Sequence, residues 1–307
     1  MYAKILYEIN HSYGVATINA REWIILRKKI DGQNILYHYF QKNILKHESA
    51  LSSRLFERLL IDLSIWIPPS FCKKLPIILP YVVRDPSCRV KRETGEDEWG
   101  SANEHGFLRD DNTLIKGLVR SFDIRSPTVR SYDGFRLGRG FVASHIWRNV
   151  RIKGTHMISS RHYKLNSFVP NLAWLPIQIS KLTDREGSLP QRLLQAISHK
   201  IYREISLPRE ILNLWEYLPF PEEFHDLRID VSKANYFVVP DKWLKKRVTG
   251  LISEIDRILS IDGIENEKTP KIKSRRYLPT LLQTPRKQRM ILNKWLAKYR
   301  DLLYTTG

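Results

Sequence analysis

Between Leu114 and about Tyr202 the chain carries two short aromatic and β-branched runs, FRLGRGFVASHIW and NSFVPNLAWLP, and then an amphipathic tail, SLPQRLLQAISHKIYREI. Short apolar runs bounded by turn residues read as strands, and apolar residues recurring at three and four positions read as a helix. In the tail, Leu189, Leu193, Leu194, Ile197 and Ile201 share one helical face, with Gln191, Arg192, His199 and Lys200 elsewhere around it. That face must be buried against something, and the two strands before it are the expected partner. The order strand, loop, strand, helix predicts an α+β architecture with a central module of this kind.

The flanks read differently. Residues 1–95 are expected to form a mixed α/β region for recognition or dimerisation, with strand-like runs (AKILYEI, YGVATI) and a helical stripe of Leu51, Leu55, Leu59, Leu60 and Leu63 that reads as core. The run IPPSFCKKLPIILPYVV carries four prolines, which suit neither a helix interior nor a central strand, so it reads as an extended connector packed on a surface. The polar stretch RETGEDEWGSANEHGFLRDDN, with Gly95, Gly100 and Gly106, marks a boundary or exposed loop before a module at 96–205. Residues 206–307 read as a basic, mainly helical region. One amphipathic helix there runs near Val248, Leu251, Ile252, Ile255, Ile258 and Leu259, and from Lys268 to Arg300 there is no Asp or Glu. Tyr277, Trp295 and Tyr299 are interleaved with those cations; Trp295 with Leu292, Leu296 and Tyr299 also reads as core, and the one-sided charge reads as an arm that tracks phosphates.

Charge narrows the partner. The chain has 51 Lys+Arg against 32 Asp+Glu, a net charge of +19. A field of that sign attracts polyanions, because each neutralised phosphate releases a condensed counterion; an anionic membrane surface or an acidic protein is the less specific alternative. Cys72 and Cys88 are too few for a disulfide framework or a zinc ribbon. The longest apolar stretch, Leu75 to Val83, is interrupted by Pro76 and Pro80 and is too short to span a bilayer, and the N-terminus lacks an apolar core of signal-peptide length. The expectation is a soluble cytoplasmic protein with no membrane partner. No GxxxxGK[ST], HExxH or GxSxG pattern is present, and Pro240-Asp241 is followed by no E-x-K at Glu265–Lys268, which removes support for P-loop hydrolysis, zinc proteolysis, α/β-hydrolase chemistry and the paired-carboxylate nuclease pattern.

Phosphodiester hydrolysis needs a base to deprotonate water, an in-line path to phosphorus and a cation for the charge on the leaving oxygen. Val142-Ala143-Ser144-His145-Ile146, followed 26 residues after His145 by Asn171-Leu172-Ala173-Trp174-Leu175, resembles the two halves of the HNH, or ββα-metal, endonuclease motif. The resemblance covers residues 130–205. It implies that His145 is the general base, that Asn171 holds the turn orienting it, and that a helix supplies a ligand to one Mg²⁺ or Mn²⁺ per site. The family's ligand position, nine residues after the asparagine, is Ser180; Gln178, Lys181 and Asp184 lie within reach, and a carboxylate suits a hard cation best, which favours Asp184. Lys181 then contacts phosphate or replaces the usual residue. Two departures stand out: Ser144 occupies a place where an aspartate or histidine ligand is common, and no CxxC pairs flank the module. Asp133, in a YDG turn, is a further carboxylate, though an Asp before Gly more often serves the turn itself.

Arg139, Arg148, Arg151, Lys153 and Arg185 around the module, and Arg275, Arg276, Arg286 and Lys287 near the C-terminus, are the candidate DNA contacts. Arg136, Arg161 and Lys164 could play the same part, whereas His156 and His162 read as uncommitted loop residues. Long flanks around a small module suggest target recognition, so the expectation is a restriction-type endonuclease cutting double-stranded DNA, as a homodimer matching a symmetric site. The alternative is a non-catalytic basic nucleic-acid-binding protein with an HNH-like segment.

Overall fold

In a computed structural model the chain divides into two units, 1–48 and 49–307. The structure describes residues 50–89, 100–225, 229–261 and 277–306. The predicted strands AKILYEI and YGVATI, and with them Arg275 and Arg276, lie outside the described residues. In chain order the elements are α1 (Ala50–Leu63), β1 (Ile65–Trp66), α2 (Pro69–Lys74), β2 (Val82–Arg84), β3 (Leu108–Asp110), α3 (Thr113–Leu118), β4 (Asp123–Arg125), β5 (Phe141–His145), β6 (Asn149–Ile152), β7 (Thr155–Ile158), β8 (Leu172–Pro176), α4 (Ile177–Thr183), α5 (Leu189–Tyr202), α6 (Arg209–Leu212), β9 (Asn235–Val238), α7 (Asp241–Ser260), α8 (Tyr277–Gln283) and α9 (Arg286–Thr306). The class is mixed α and β, as expected.

Five strands form one sheet in the order β4-β9-β1-β8-β5, antiparallel except where β9 runs parallel to β1. Strands from all three predicted regions therefore share a single sheet, and the boundaries at 95/96 and 205/206 do not separate independent bodies. β1 and β8 lie inside the sheet, and Trp66 and Trp174 on them are fully buried. Trp174 meets Phe237 of β9 edge-on, with ring centroids 5.2 Å apart.

β5 and β8, the two strands read from the sequence, pair directly in antiparallel register from Phe141↔Pro176 to His145↔Leu172. α4 follows β8 without a break and packs on both strands. Pro176 caps it, and the Ile177 amide donates to the Gly140 carbonyl across the hairpin at 2.8 Å. α5 forms where predicted: the Ser188 hydroxyl accepts from the Gln191 amide, Pro190 sits in the first turn, and Leu193, Leu194 and Ile197 are buried, but the helix packs mainly on α1 and α4 rather than on the two strands expected as its partner. The segment between β5 and β8, expected to be a loop, contains the β6–β7 hairpin, turned at Lys153 (φ 49°) and Gly154 (φ 83°). Consecutive left-handed residues match a two-residue turn to the strand twist.

The proline-rich run is the clearest correction. It is neither extended throughout nor superficial: Pro69 opens α2, and Leu75, Ile77 and Ile78 are buried. Its backbone groups find partners elsewhere. The Val169 amide donates to the Pro76 carbonyl, the Ile78 amide to the Ser167 carbonyl, the Trp295 indole to the Pro80 carbonyl, and the Tyr299 hydroxyl to the Ile77 carbonyl at 2.7 Å while accepting from the Ile77 amide at 3.0 Å. A chain that cannot make a regular ladder can still be buried when side chains satisfy it. Consequently Trp295 and Tyr299 of α9 are core rather than an exposed stacking surface for bases.

Candidate active site

His145 ends β5, where the chain leaves the sheet. The side chain is half-buried, and its Nε2 lies 2.8 Å from the Asn166 carbonyl oxygen. A carbonyl only accepts, so Nε2 carries the proton and Nδ1 holds the lone pair. Nδ1 has no hydrogen-bond partner among the described residues, yet it is not one of the fully enclosed unsatisfied atoms. Burial pushes the imidazole down to about 4, with Arg84 adding to the shift and the Asn166 hydrogen bond opposing it. The ring is thus neutral at physiological pH, with one nitrogen fixed and the other open.

Asn171 is fully buried and acts on the turn rather than on the ring. Its Oδ1 accepts from the Trp147 amide at 2.9 Å, and its Nδ2 donates to the Leu165 carbonyl and the Ser159 hydroxyl at 3.1 Å each. The Asn171 carbonyl also accepts from the Ile146 amide at 3.0 Å, and the Ser159 hydroxyl donates to the Trp147 carbonyl. The two residues following His145 are therefore held by one asparagine.

A second asparagine was missed. Asn166 accepts from His145 through its carbonyl and donates through Nδ2 to the Val82 carbonyl at 3.0 Å, which ties the histidine to β2. From β2, Arg84 comes within electrostatic reach of both His145 and Asp184. Arg84 was not legible, because β2 is remote in sequence and joins the site only through tertiary contact.

Of the predicted metal ligands, the two serines are buried and only Asp184 keeps an open oxygen. Ser144 alternates with His145 along β5 and so lies on the opposite face of the strand; it is buried. Ser180 is buried one helical turn before Asp184, and its hydroxyl donates to the Ile177 carbonyl at 3.0 Å. Asp184 caps α4, and its half-buried carboxylate has no hydrogen-bond or ion-pair partner among the described residues. Burial pushes the carboxyl above the usual carboxylate value, against the pull of Lys181, Arg148 and Arg84. Among the described residues no group of three or more His, Cys, Asp or Glu is gathered for a metal. One open carboxylate fits a Mg²⁺ completed by water and substrate phosphate, and does not fit a closed zinc-type site. Asp133 accepts from the Ser126 amide, which is turn chemistry.

Of the candidate phosphate contacts, Arg139, Arg151 and Lys153 are exposed, as are Arg286 and Lys287 at the start of α9. Lys181 is exposed on α4 and Arg185 is half-buried. Arg148 donates to the Asp184 carbonyl at 2.6 Å, so it also pins the turn after β5 to the end of α4. His156 is exposed, whereas His162 stacks on Tyr163 at 4.7 Å with its Nδ1 enclosed and unpartnered. No helix among the described residues is long and apolar enough to cross a membrane. No protein-family model, curated protein or solved structure matches the chain.

Proposed function

We propose that the protein is an HNH-like endonuclease that hydrolyses DNA phosphodiester bonds, with His145 as the general base. The observation that carries the reading is the state of that histidine: neutral, fixed at Nε2 by a carbonyl, open at Nδ1, and placed at a strand end whose turn Asn171 holds. Support comes also from the pairing of β5 with β8, the helix that follows, and the net charge of +19.

In this reaction Nδ1 of His145 takes a proton from water as the water oxygen bonds to phosphorus. The P–O3′ bond breaks, the departing oxygen takes a proton from solvent, and the products are a 5′-phosphate and a 3′-hydroxyl, the ends the resemblance implies. Asn166 keeps the ring in the required tautomer, and Asn171 keeps the turn from relaxing. Asp184 is the residue that would hold Mg²⁺ or Mn²⁺, which when bound supplies positive charge for the leaving oxygen. Double-stranded DNA, site-specific cutting and a homodimer belong to the same proposal.

The test is plasmid cleavage by wild type and His145→Ala with Mg²⁺, with Mn²⁺ or with EDTA. Metal-dependent fragments that disappear in the variant, by a factor of about 100 or more in rate, are expected. No cleavage by either protein, with salt-sensitive DNA binding retained, would replace this reading with that of a non-catalytic binding protein.

A further inference from the structure

The site contains a cation that neither the resemblance nor the sequence reading assigns. Arg84 ends β2, and β2 is joined to the histidine by a short chain of hydrogen bonds: His145 to the Asn166 carbonyl, then Asn166 Nδ2 to the Val82 carbonyl, two residues before Arg84. A second link runs alongside. Asn112 donates to the Ala143 carbonyl of β5 at 3.4 Å, and its neighbour Asp111 accepts from Arg84 Nε at 2.9 Å. Arg84 and Asp111 are thereby fixed beside the end of β5 by two independent tethers.

The guanidinium is held at one edge. Asp111, with its side chain 12% exposed, takes Arg84 through Nε on one oxygen and Arg89 through Nε on the other at 2.8 Å. The two terminal amino groups of Arg84 have no protein acceptor among the described residues, and its side chain is 39% exposed. An arginine clamped at Nε and open at both Nη groups presents a planar fork of the shape that fits two phosphate oxygens. Asp111 neutralises only part of the local charge, because it serves two arginines.

We propose that Arg84 is the phosphate-binding residue of this site, with Asp111 as its positioning residue, so that its two Nη groups meet the non-bridging oxygens of the phosphodiester facing His145. The inference rests on the nuclease reading for what the phosphate undergoes, but not for the contact itself. Its charge acts on both His145 and Asp184, the base and the candidate metal ligand.

The experiment separates contact from chemistry. Binding of a DNA duplex is measured across a salt series with His145→Ala, which holds the duplex uncut, alone and combined with Arg84→Gln, Arg84→Lys or Asp111→Asn. Cleavage is measured with the same three substitutions in the otherwise native protein, and melting temperatures check folding. Arg84→Gln is expected to take about one unit from the slope of log affinity against log salt and to slow cleavage about 100-fold. Arg84→Lys restores the slope but not the rate, since an ammonium supplies charge without the fork. Asp111→Asn keeps the slope and loses rate through kcat rather than KM. A slope and rate for Arg84→Gln equal to those of the parent protein overturn the proposal. If the native protein cuts nothing, the hydrolase reading falls and the slope alone decides: a loss of about one unit keeps Arg84 as a phosphate contact, and an unchanged slope removes it.

Discussion

His145 and His162 are each pushed down to about 4, His145 mainly by burial and His162 by burial with help from Lys164. In the unfolded chain both return to about 6.5. Between those values the unfolded state binds more protons, so stability is fully present above about pH 6.5 and is lost as pH falls toward 4. The two histidines carry different parts of that loss. His162 has an enclosed, unpartnered Nδ1 and a ring stacked on Tyr163, so His162→Phe keeps the stacking and removes the titrating group. The melting temperature of the native protein is expected to drop between pH 7 and 4.5, and that of His162→Phe to drop less. Equal drops would show that His162 does not contribute to acid sensitivity. At this scale the sequence was informative where chemistry is local. His145 and Asn171 were legible because a strand end and an N-L-x-x-L run share a short segment. Asn166 was overlooked because its working group toward the histidine is a main-chain carbonyl, which any residue type can offer.

Among the elements, the pair β5 and β8 and the helix α5 were readable from period and capping alone, and α7 took the place its apolar stripe required. The proline-rich connector was not, since its burial depends on donors some two hundred residues away. α9 supplies those donors, which makes the C-terminal helix part of the scaffold under the site rather than an appended arm. The β2 strand that carries Arg84 continues directly from this connector. Tyr299→Phe deletes both hydrogen bonds to Ile77 and leaves a buried amide and a buried carbonyl without partners. A loss of about 2–3 kcal/mol in unfolding free energy is expected, measurable by urea denaturation with an unchanged m value. A loss under about 0.5 kcal/mol would mean that water or a backbone shift replaces the hydroxyl.

For the molecule as a whole, the charge of +19 acts through where the cations lie. Of the cations read as a phosphate arm, Arg289 is buried and bonded to the Leu281 and Thr284 carbonyls and Arg300 is paired with Asp256, whereas Arg286, Lys287, Lys294 and Lys298 of α9 are exposed. Lys164 connects this helix to the module. Its ammonium lies 5.0 Å from the centre of the Trp295 ring, and burial first, then Lys298 and Lys153, push it below the usual lysine value. Lys153 in the turn of the β6–β7 hairpin and Lys298 on α9 therefore both contribute to the positive field at Lys164. If a single duplex follows that field, Lys153→Glu and Lys298→Glu should each take about one unit from the salt slope of binding, and together about two. Lys298 stands 3.6 Å from Glu210, so Lys298→Gln, which avoids repulsion with that carboxylate, is the control. A double variant no worse than Lys153→Glu alone would place α9 off the path of the duplex, and the basic helix would then serve the fold through Trp295 and Tyr299 without guiding DNA to His145.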